Sequence, residues 1–403
     1  MATLISSPAT VSVTSFPYSL PTSPGQVVLI GTNFLHDIRP SSFSAFDWDY
    51  ATMGYYGGGV FVEDYSQGGA WVVAGSGGHN VPPNVGAAIF DFQDATWKRK
   101  DNANGVQWQR DDYVTGEIIY HPTNYPSGIL RNSSPQTIPA PGHLYATARP
   151  RMTGGGTMGS VLHLASIWQG VDTATGFTLG ACHYSHAMNL QTGLWTRVST
   201  NRIIDARHDS GAVSEYFSSA YDAATNRYYL IRRQQAGSRL DYLDGNDWTW
   251  KQHSVLFPSA GDLFTQNCFI DQARRLLVVG NTPNMLFGLR LDNPGGGWQR
   301  LSKTGPEPDN QSQWALYPPD GCYYTKNDAS SNQIFKLTPP AVNADSFAGT
   351  WTSTTVTLSA TLPRDAGWFE QGPRHHNRLF YVPSIQRLAW IAGNGNRVAI
   401  LKP

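Results

Sequence analysis

Charge and cysteine are both scarce in this chain. Only 14% of the 403 residues are charged, and the formal net charge is zero. Nucleic-acid binding normally requires a basic face, so this composition argues against a nucleic-acid partner. The three cysteines, Cys182, Cys268 and Cys322, show none of the CxxC spacing of a zinc site and cannot all pair with one another. We expect buried free thiols.

Long apolar runs and a leader segment are also missing. No stretch approaches the length of about 18 apolar residues that a membrane span needs, so none is predicted. The first residues, MATLISSPATVSV, contain neither a basic segment nor a long apolar one. This predicts no signal peptide and cytoplasmic synthesis, unless a leader has been removed from a secreted protein.

The familiar catalytic motifs do not occur. The sequence contains no GxSxG elbow, no P-loop and no HExxH, and the glycine run at 57–59 precedes a strand pattern rather than a helix. No cofactor and no metal site are therefore predicted, and no catalytic residue is assigned outright.

Glycine, proline and aromatic residues are plentiful instead. The chain has 40 Gly and 26 Pro, and 12% of its residues are aromatic. Many turns and large packing faces are typical of an all-β protein.

One stretch, residues 70–99, organises the chain. An apolar run at 71–74 leads into glycines, a second apolar run covers 87–92, and Asp94-Ala95-Thr96 precedes Trp97. Short runs rich in Val, Ile and Phe, separated by turn residues, predict a β-hairpin followed by a third strand that opens with the tryptophan.

Weaker copies of this stretch recur. They cover residues 179–197, 219–251, 268–300 and 314–351, and the copies end at Trp97, Trp195, Trp250, Trp298 and Trp351. The later copies are spaced by about fifty residues, the period of a four-stranded propeller blade. The pattern resembles the kelch repeat of the propeller domain of galactose oxidase. The resemblance implies a single all-β domain over residues 1–403, a kelch-like β-propeller of six blades, with seven as the alternative.

The last copy predicts how the ring closes. Residues 378–383, 387–392 and 397–401 supply three strands. Residues 10–16 (TVSVTSF), within an N-terminal arm at 1–50, alternate as a strand does and have no neighbour of their own. We expect this segment to complete the final blade, and residues 27–31 to form part of a seventh blade if one exists.

A long insertion, residues 101–142, is the first place to expect a partner site, because loops between blades tolerate any length. The aromatic candidates for glycan or partner contact are Trp108, Tyr113, Tyr125 and Trp168. Packing between blades is the alternative role for each of them.

Ionisable residues precede several expected inner strands, which would bring them to one mouth of the channel. The candidates are His143, Arg149, Tyr184, His208 and His375. A polysaccharide lyase would use His or Tyr as the base and Arg to neutralise a uronate carboxylate. The copper-ligand motifs of galactose oxidase do not match residue by residue, so its oxidation chemistry is not inferred.

These observations favour a non-catalytic propeller that binds a protein or a surface glycan. Degenerate kelch-like rings of this size also resemble tail or adsorption components of bacteria and their phages, and this resemblance implies incorporation into a virion or phage tail. The alternative is a carbohydrate-active enzyme of the polysaccharide-lyase type that uses the His/Arg/Tyr group.

Overall fold

The computed structural model is all-β. It describes residues 15–39, 60–63, 65–74, 87–100, 151–153, 157–158, 161–164, 170–172, 177–179, 186–190, 195–197, 217–222, 224–232, 238–257, 267–280, 285–308, 314–326, 332–363, 378–392 and 397–403. Within these ranges the helices are short 3-10 turns at Leu35–Ile38, Pro294–Gly296 and Pro383–Ile385, and none of them is long or apolar enough to cross a membrane.

The strands, in chain order, are β1 (Val27–Ile30), β2 (Val60–Val62), β3 (Ala70–Ala74), β4 (Ala87–Asp91), β5 (Thr96–Lys100), β6 (Arg151–Thr153), β7 (Thr157–Met158), β8 (Val161–Leu164), β9 (Gly170–Asp172), β10 (Phe177–Leu179), β11 (His186–Asn189), β12 (Trp195–Arg197), β13 (Phe217–Asp222), β14 (Arg227–Arg232), β15 (Ser238–Asp244), β16 (Thr249–Phe257), β17 (Asn267–Asp271), β18 (Leu276–Gly280), β19 (Leu286–Arg290), β20 (Gln299–Thr304), β21 (Ala315–Tyr317), β22 (Cys322–Thr325), β23 (Gln333–Thr338), β24 (Thr350–Thr357), β25 (Leu379–Val382), β26 (Arg387–Trp390) and β27 (Val398–Leu401).

These strands form antiparallel groups of four, which we call meanders I to VI. Meander I is β2-β3-β4-β5, meander II is β7-β8-β11-β12, meander III is β13-β14-β15-β16, meander IV is β17-β18-β19-β20, meander V is β21-β22-β23-β24, and meander VI is β25-β26-β27-β1. The hairpin β9-β10 lies in sequence between β8 and β11, and β6 adds a parallel strand to β13. The prediction of an all-β fold built from several sheets of short strands is confirmed.

Meanders IV and V join into one eight-stranded sheet. Their fourth strands, β20 and β24, pair in parallel, with Ser302 opposite Thr350. The approach is close, because a Cβ on Gly305 would collide with the Ser353 carbonyl oxygen, and the φ of Gly305 is +93°. Only glycine fits this position without displacing the neighbouring strand.

Successive meanders pack face to face from III through IV, V and VI to I. In β18, Leu277 and Val279 face meander III, whereas Leu276 and Val278 face meander V. Because both faces are buried, the strand is a continuous apolar run without polar alternation. Two further buried clusters join meander V to VI and meander VI to I.

The predicted closing strand was placed on the wrong segment. Val27–Ile30 is the strand that completes meander VI, where it runs antiparallel to β27 with Val28 opposite Ile400. The buried Ile30 packs into the cluster between meanders VI and I, which fixes this register. Residues 1–14, including most of the predicted 10–16 strand, lie outside the described residues, and Phe16 is not in a strand. Val27–Ile30 therefore does not belong to a seventh blade.

The repeated tryptophans mark the fourth strands, as predicted. Trp97, Trp195, Trp250 and Trp351 lie within β5, β12, β16 and β24, and Trp298 directly precedes β20. Cys268 and Cys322 are buried and form no disulfide, as predicted, while Cys182 lies outside the described residues.

Candidate functional site

Tight turns gather at one end of the meanders, which we call the turn end. In a four-stranded antiparallel meander, the first and third turns leave from the same end. Six of these turns have four residues, and the last of the four adopts a left-handed conformation. Those residues are Ala95, Asn226, Trp248, Arg275, Gly321 and Gln386. Five of the six are not glycine, so the surrounding contacts must offset roughly 1 kcal/mol of backbone strain at each.

Aspartate carboxylates provide those contacts. In five of the turns an Asp Oδ1 atom accepts a hydrogen bond from a backbone N–H group a few residues further on. The pairs are Gln93 to Asp91 (2.9 Å), Ala224 to Asp222 (3.2 Å), Asn246 to Asp244 (3.1 Å), Arg274 to Asp271 (3.1 Å) and Cys322 to Asp320 (3.0 Å). The same chemistry therefore shapes turns in meanders I, III, IV and V.

In two of these turns a lysine forms ion pairs with two aspartates. The segments 91–98 and 244–251 share the pattern D-x-x-D-x-T-W-K. Lys98 Nζ lies 2.6 Å from Asp91 and 2.7 Å from Asp94, and Lys251 Nζ lies 2.9 Å from Asp244 and 2.6 Å from Asp247.

The lysines help keep Asp94 and Asp247 ionised. Hydrogen bonds from Lys251, and then from Thr249, lower the pKa of Asp247 to about 2. Burial acts to raise the pKa of Asp94, but hydrogen bonds from Lys98 and Thr96 lower it overall. Carboxylates held in this state do not supply a proton near neutral pH.

The joint between meanders III and IV carries a buried ion pair. Asp222, which is fully buried, accepts hydrogen bonds from Arg275 Nη1 and Nη2, both at 2.8 Å. Gln272 Nε2 at 3.0 Å and Thr225 Oγ1 at 2.6 Å complete its shell. Burial acts to raise the pKa of Asp222, yet the bond from Arg275 and those from Thr225 and Gln272 lower it to about 2. This network holds two meanders together.

Two other joints are linked at the same end. Ser384 Oγ donates to the Gly68 carbonyl oxygen at 2.8 Å, which connects meander VI to meander I. Tyr317 Oη donates to the Gln386 carbonyl oxygen at 3.4 Å, which connects meander V to meander VI. The turn end is thus a scaffold in which polar groups bond to one another.

The connections between meanders leave from the opposite end, which we call the loop end. They span residues 198–216, 258–266, 305–314 and 358–378, and differ widely in length. The predicted site residues all lie outside the described residues. They are His143, Arg149, Tyr184, His208 and His375, together with Trp108, Tyr113, Tyr125, Trp168 and the 101–142 insertion. Their proposed roles stay predictions.

The sequence reasoning missed a polar and aromatic cluster on the face of meander III that packs on meander IV. The Arg227 guanidinium carbon lies 4.9 Å from the Tyr242 ring centroid, and the His253 ring stacks on Tyr242 at 4.7 Å. Tyr229 lies beside both rings, at 5.7 Å from Tyr242 and 6.2 Å from His253. The spacing of Arg227 and Tyr229, two residues apart on β14, is the sequence signal that places them on one face.

Burial shifts the pKa values of two groups in this cluster. Burial, and then the charge of Arg227, lower the pKa of His253, so its imidazole is neutral at pH 7. Burial raises the pKa of Tyr229, although Arg227 acts in the opposite direction, so the phenol keeps its proton. Within the described residues, no group of three or more His, Cys, Asp or Glu side chains could hold a metal ion.

Comparison with known proteins gives only distant structural similarity. No family profile and no curated protein matches the sequence. The structure is similar to that of the major allergen Mala s 1 of Malassezia sympodialis, with a TM-score of 0.42 and 9% identity, covering 85% of this chain and 91% of that one. It is also similar to a protein of unknown function from Dyadobacter fermentans, with a TM-score of 0.44 and 11% identity, covering 94% and 97%.

Proposed function

We propose that the six meanders are the blades of one kelch-like propeller, with meander II between I and III and with β1 as the closing strand. The support is the continuous face-to-face packing from III through VI to I, together with the four-stranded period. If the packed meanders form a closed ring, the first and last of them also cover each other's faces, and no apolar sheet face is left exposed to solvent.

We infer further that this propeller is a non-catalytic binding platform. The observation that carries this inference is the contrast between its two ends. At the turn end, short turns are fixed by Asp–backbone bonds and by ion pairs, whereas connections of very different length leave from the loop end. A rigid scaffold with variable loops on one end is the usual arrangement for recognition.

The 101–142 insertion and its aromatic residues are the proposed contact region. Trp108, Tyr113 and Tyr125 would stack on the faces of sugar rings, and Trp168 would extend the same surface. The proposed partner is a surface glycan or a protein of a larger bacterial or phage particle. No cofactor is proposed.

The test measures binding and turnover on the same samples. Purified protein is passed over immobilised lipopolysaccharide, capsular polysaccharides and uronate-containing polysaccharides, and a variant with 101–142 replaced by a short Gly/Ser linker is the comparison. We expect binding to at least one glycan, at least tenfold weaker binding by the linker variant, and a thermal midpoint changed by no more than about 2 °C.

Release of an unsaturated product, seen as a rise in ultraviolet absorbance, would refute the non-catalytic function. The lyase alternative would then be tested by alanine variants of His143, Arg149, Tyr184, His208 and His375. Binding that is undiminished in the linker variant would refute the proposed contact region.

A further inference from the structure

Three polar atoms of the cluster on meander III are buried without a hydrogen bond of good geometry, although an Arg227 N–H lies close enough to the Tyr229 oxygen to act against the rise in the pKa of that phenol. They are Arg227 Nε, Tyr229 Oη and His253 Nε2, and all three are buried. The Tyr229 side chain is among the most deeply buried in the described residues, at 1% exposure. Because buried polar groups are nearly always hydrogen-bonded, three such atoms in one cluster indicate an occupant that supplies the missing bonds.

The cluster has more donors than acceptors. The nearest carboxylate to Arg227 Nε is Asp244 Oδ2, at 3.6 Å, which is too far for a hydrogen bond. That oxygen already accepts from Lys251, and Asp244 Oδ1 accepts from Asn246. Arg227 can use the Tyr229 oxygen as an acceptor, and neutral His253 Nε2 is a second acceptor, but once His253 is protonated the Arg227 Nε N–H, the Tyr229 O–H and the His253 Nε2 N–H all require an acceptor from outside the cluster.

The charges of the cluster depend on His253. The groups around it are Arg227 and Tyr229 on β14, Tyr242 and Asp244 on β15, Lys251 on β16, Asp247 in the adjoining turn, and Trp298 and the Pro294–Gly296 turn of meander IV. While His253 is neutral, Arg227 and Lys251 balance Asp244 and Asp247, and Asp222, whose charge also acts on Tyr229, is paired with Arg275. Protonation of His253 adds one uncompensated positive charge and turns its Nε2 into a third donor.

We propose that Arg227, Tyr229 and His253 form a proton-linked binding site for a small monovalent anion of halide size. At neutral pH the site holds a water molecule. As His253 takes up a proton, the anion replaces the water, accepts from all three donors and neutralises the added charge. Proton and anion binding are thermodynamically coupled, so each increases the affinity for the other. This inference does not depend on the proposed glycan or protein partner.

The first experiment compares thermal unfolding in sodium chloride and in sodium gluconate at equal ionic strength. Gluconate is too large for the site and controls for screening. At about pH 5, chloride should raise the unfolding midpoint by about 2 °C over gluconate, and at about pH 8 the two salts should give the same midpoint. The absence of a chloride effect at about pH 5 would overturn the proposal.

Variants assign the effect to the site. His253→Gln and Tyr229→Phe should abolish the chloride effect. The matched control is His36→Gln, since the His36 side chain is about half exposed at 47% and should not contribute. An equal chloride effect in His253→Gln and in the wild type would overturn the proposal.

A second measurement does not rely on variants that fold. Wild-type crystals grown in bromide at about pH 5 should show an anomalous peak bounded by the Arg227, Tyr229 and His253 side chains. An ordered site without that peak would contradict the proposal.

Discussion

Replacing Arg275 by methionine removes the guanidinium that joins meander III to meander IV. Asp222 then stays buried with its bonds from Thr225 and Gln272 but without a counter-charge. Removing one partner of a buried ion pair typically costs 3 to 5 kcal/mol, and the remaining hydrogen bonds favour the lower value. We therefore expect Arg275→Met to lower the free energy of unfolding by about 3 kcal/mol at pH 7.

The pH dependence identifies the source of this loss. In the folded protein the pKa of Asp222 is lowered from 3.8 to about 2. Each unit contributes about 1.4 kcal/mol, so ionised Asp222 contributes up to about 2 kcal/mol above pH 4, and this stability disappears as the pH falls from about 4 towards 2. Arg275→Met removes the largest of the interactions that lower the pKa of Asp222. The difference between wild type and variant should therefore shrink by about 1 kcal/mol by pH 3 and by up to about 2 kcal/mol near pH 2.

Urea denaturation followed by tryptophan fluorescence, repeated from pH 7 to about pH 2, measures both quantities. The matched control is Asp292→Asn, which removes an exposed carboxylate 3.2 Å from Arg275 Nε. It should cost less than about 1 kcal/mol, as for other exposed ion pairs. If Arg275→Met and Asp292→Asn have the same cost, or if the cost of Arg275→Met does not change with pH, the reasoning about this joint is wrong.

Two further predictions concern the joined strands and the closing strand. Gly305→Ala should lower the free energy of unfolding by roughly 2 kcal/mol or more, because the φ of Gly305 is +93° and the new methyl group would collide with the Ser353 carbonyl. The control is Gly296→Ala, whose new methyl group meets nothing within 4 Å, and it should be close to neutral in the same urea assay. Ile30→Asp, at a 3% exposed position of β1, should lower the free energy of unfolding by more than about 3 kcal/mol. Leu29→Asp, at a 48% exposed position, should lower it by less than about 1 kcal/mol. Equal losses would show that β1 does not close meander VI.

Local patterns in the sequence located many strands correctly. The apolar runs before and after the first glycine cluster became β3 and β4, and the tryptophans marked fourth strands. These signals are local, because a short apolar run and the turn residues beside it already determine a hairpin. The grouping into meanders could therefore be predicted from residue spacing.

Long-range choices could not be predicted in this way. Residues 10–16 and Val27–Ile30 both have strand-like composition, and only the register with β27 and the burial of Ile30 select the second. Five of the six left-handed turn positions gave no glycine signal, since residues such as Trp248 and Arg275 occupy them. Tertiary contacts determine both features.

The polar cluster was missed for a related reason. Arg227, Tyr242 and His253 lie on three strands, and the pairing of β15 with β16 shifts at an irregularity between Arg239 and Asp241. Such a shift changes which side chains share a face, and sequence spacing does not reveal it. The turn-end aspartates were visible as turn residues, but their partners, such as Arg275 for Asp222, come from the next meander.

The pairing of β1 with β27 also sets the order in which the protein can be completed during translation. The ribosome makes Val27–Ile30 early and Val398–Leu401 more than three hundred residues later. Meander VI therefore cannot acquire its fourth strand on the growing chain, and the β1 segment must wait, with apolar side chains uncovered, until its partner emerges. A circular permutant that places β1 directly after β27 would make this contact local, and we expect it to refold faster with little change in equilibrium stability.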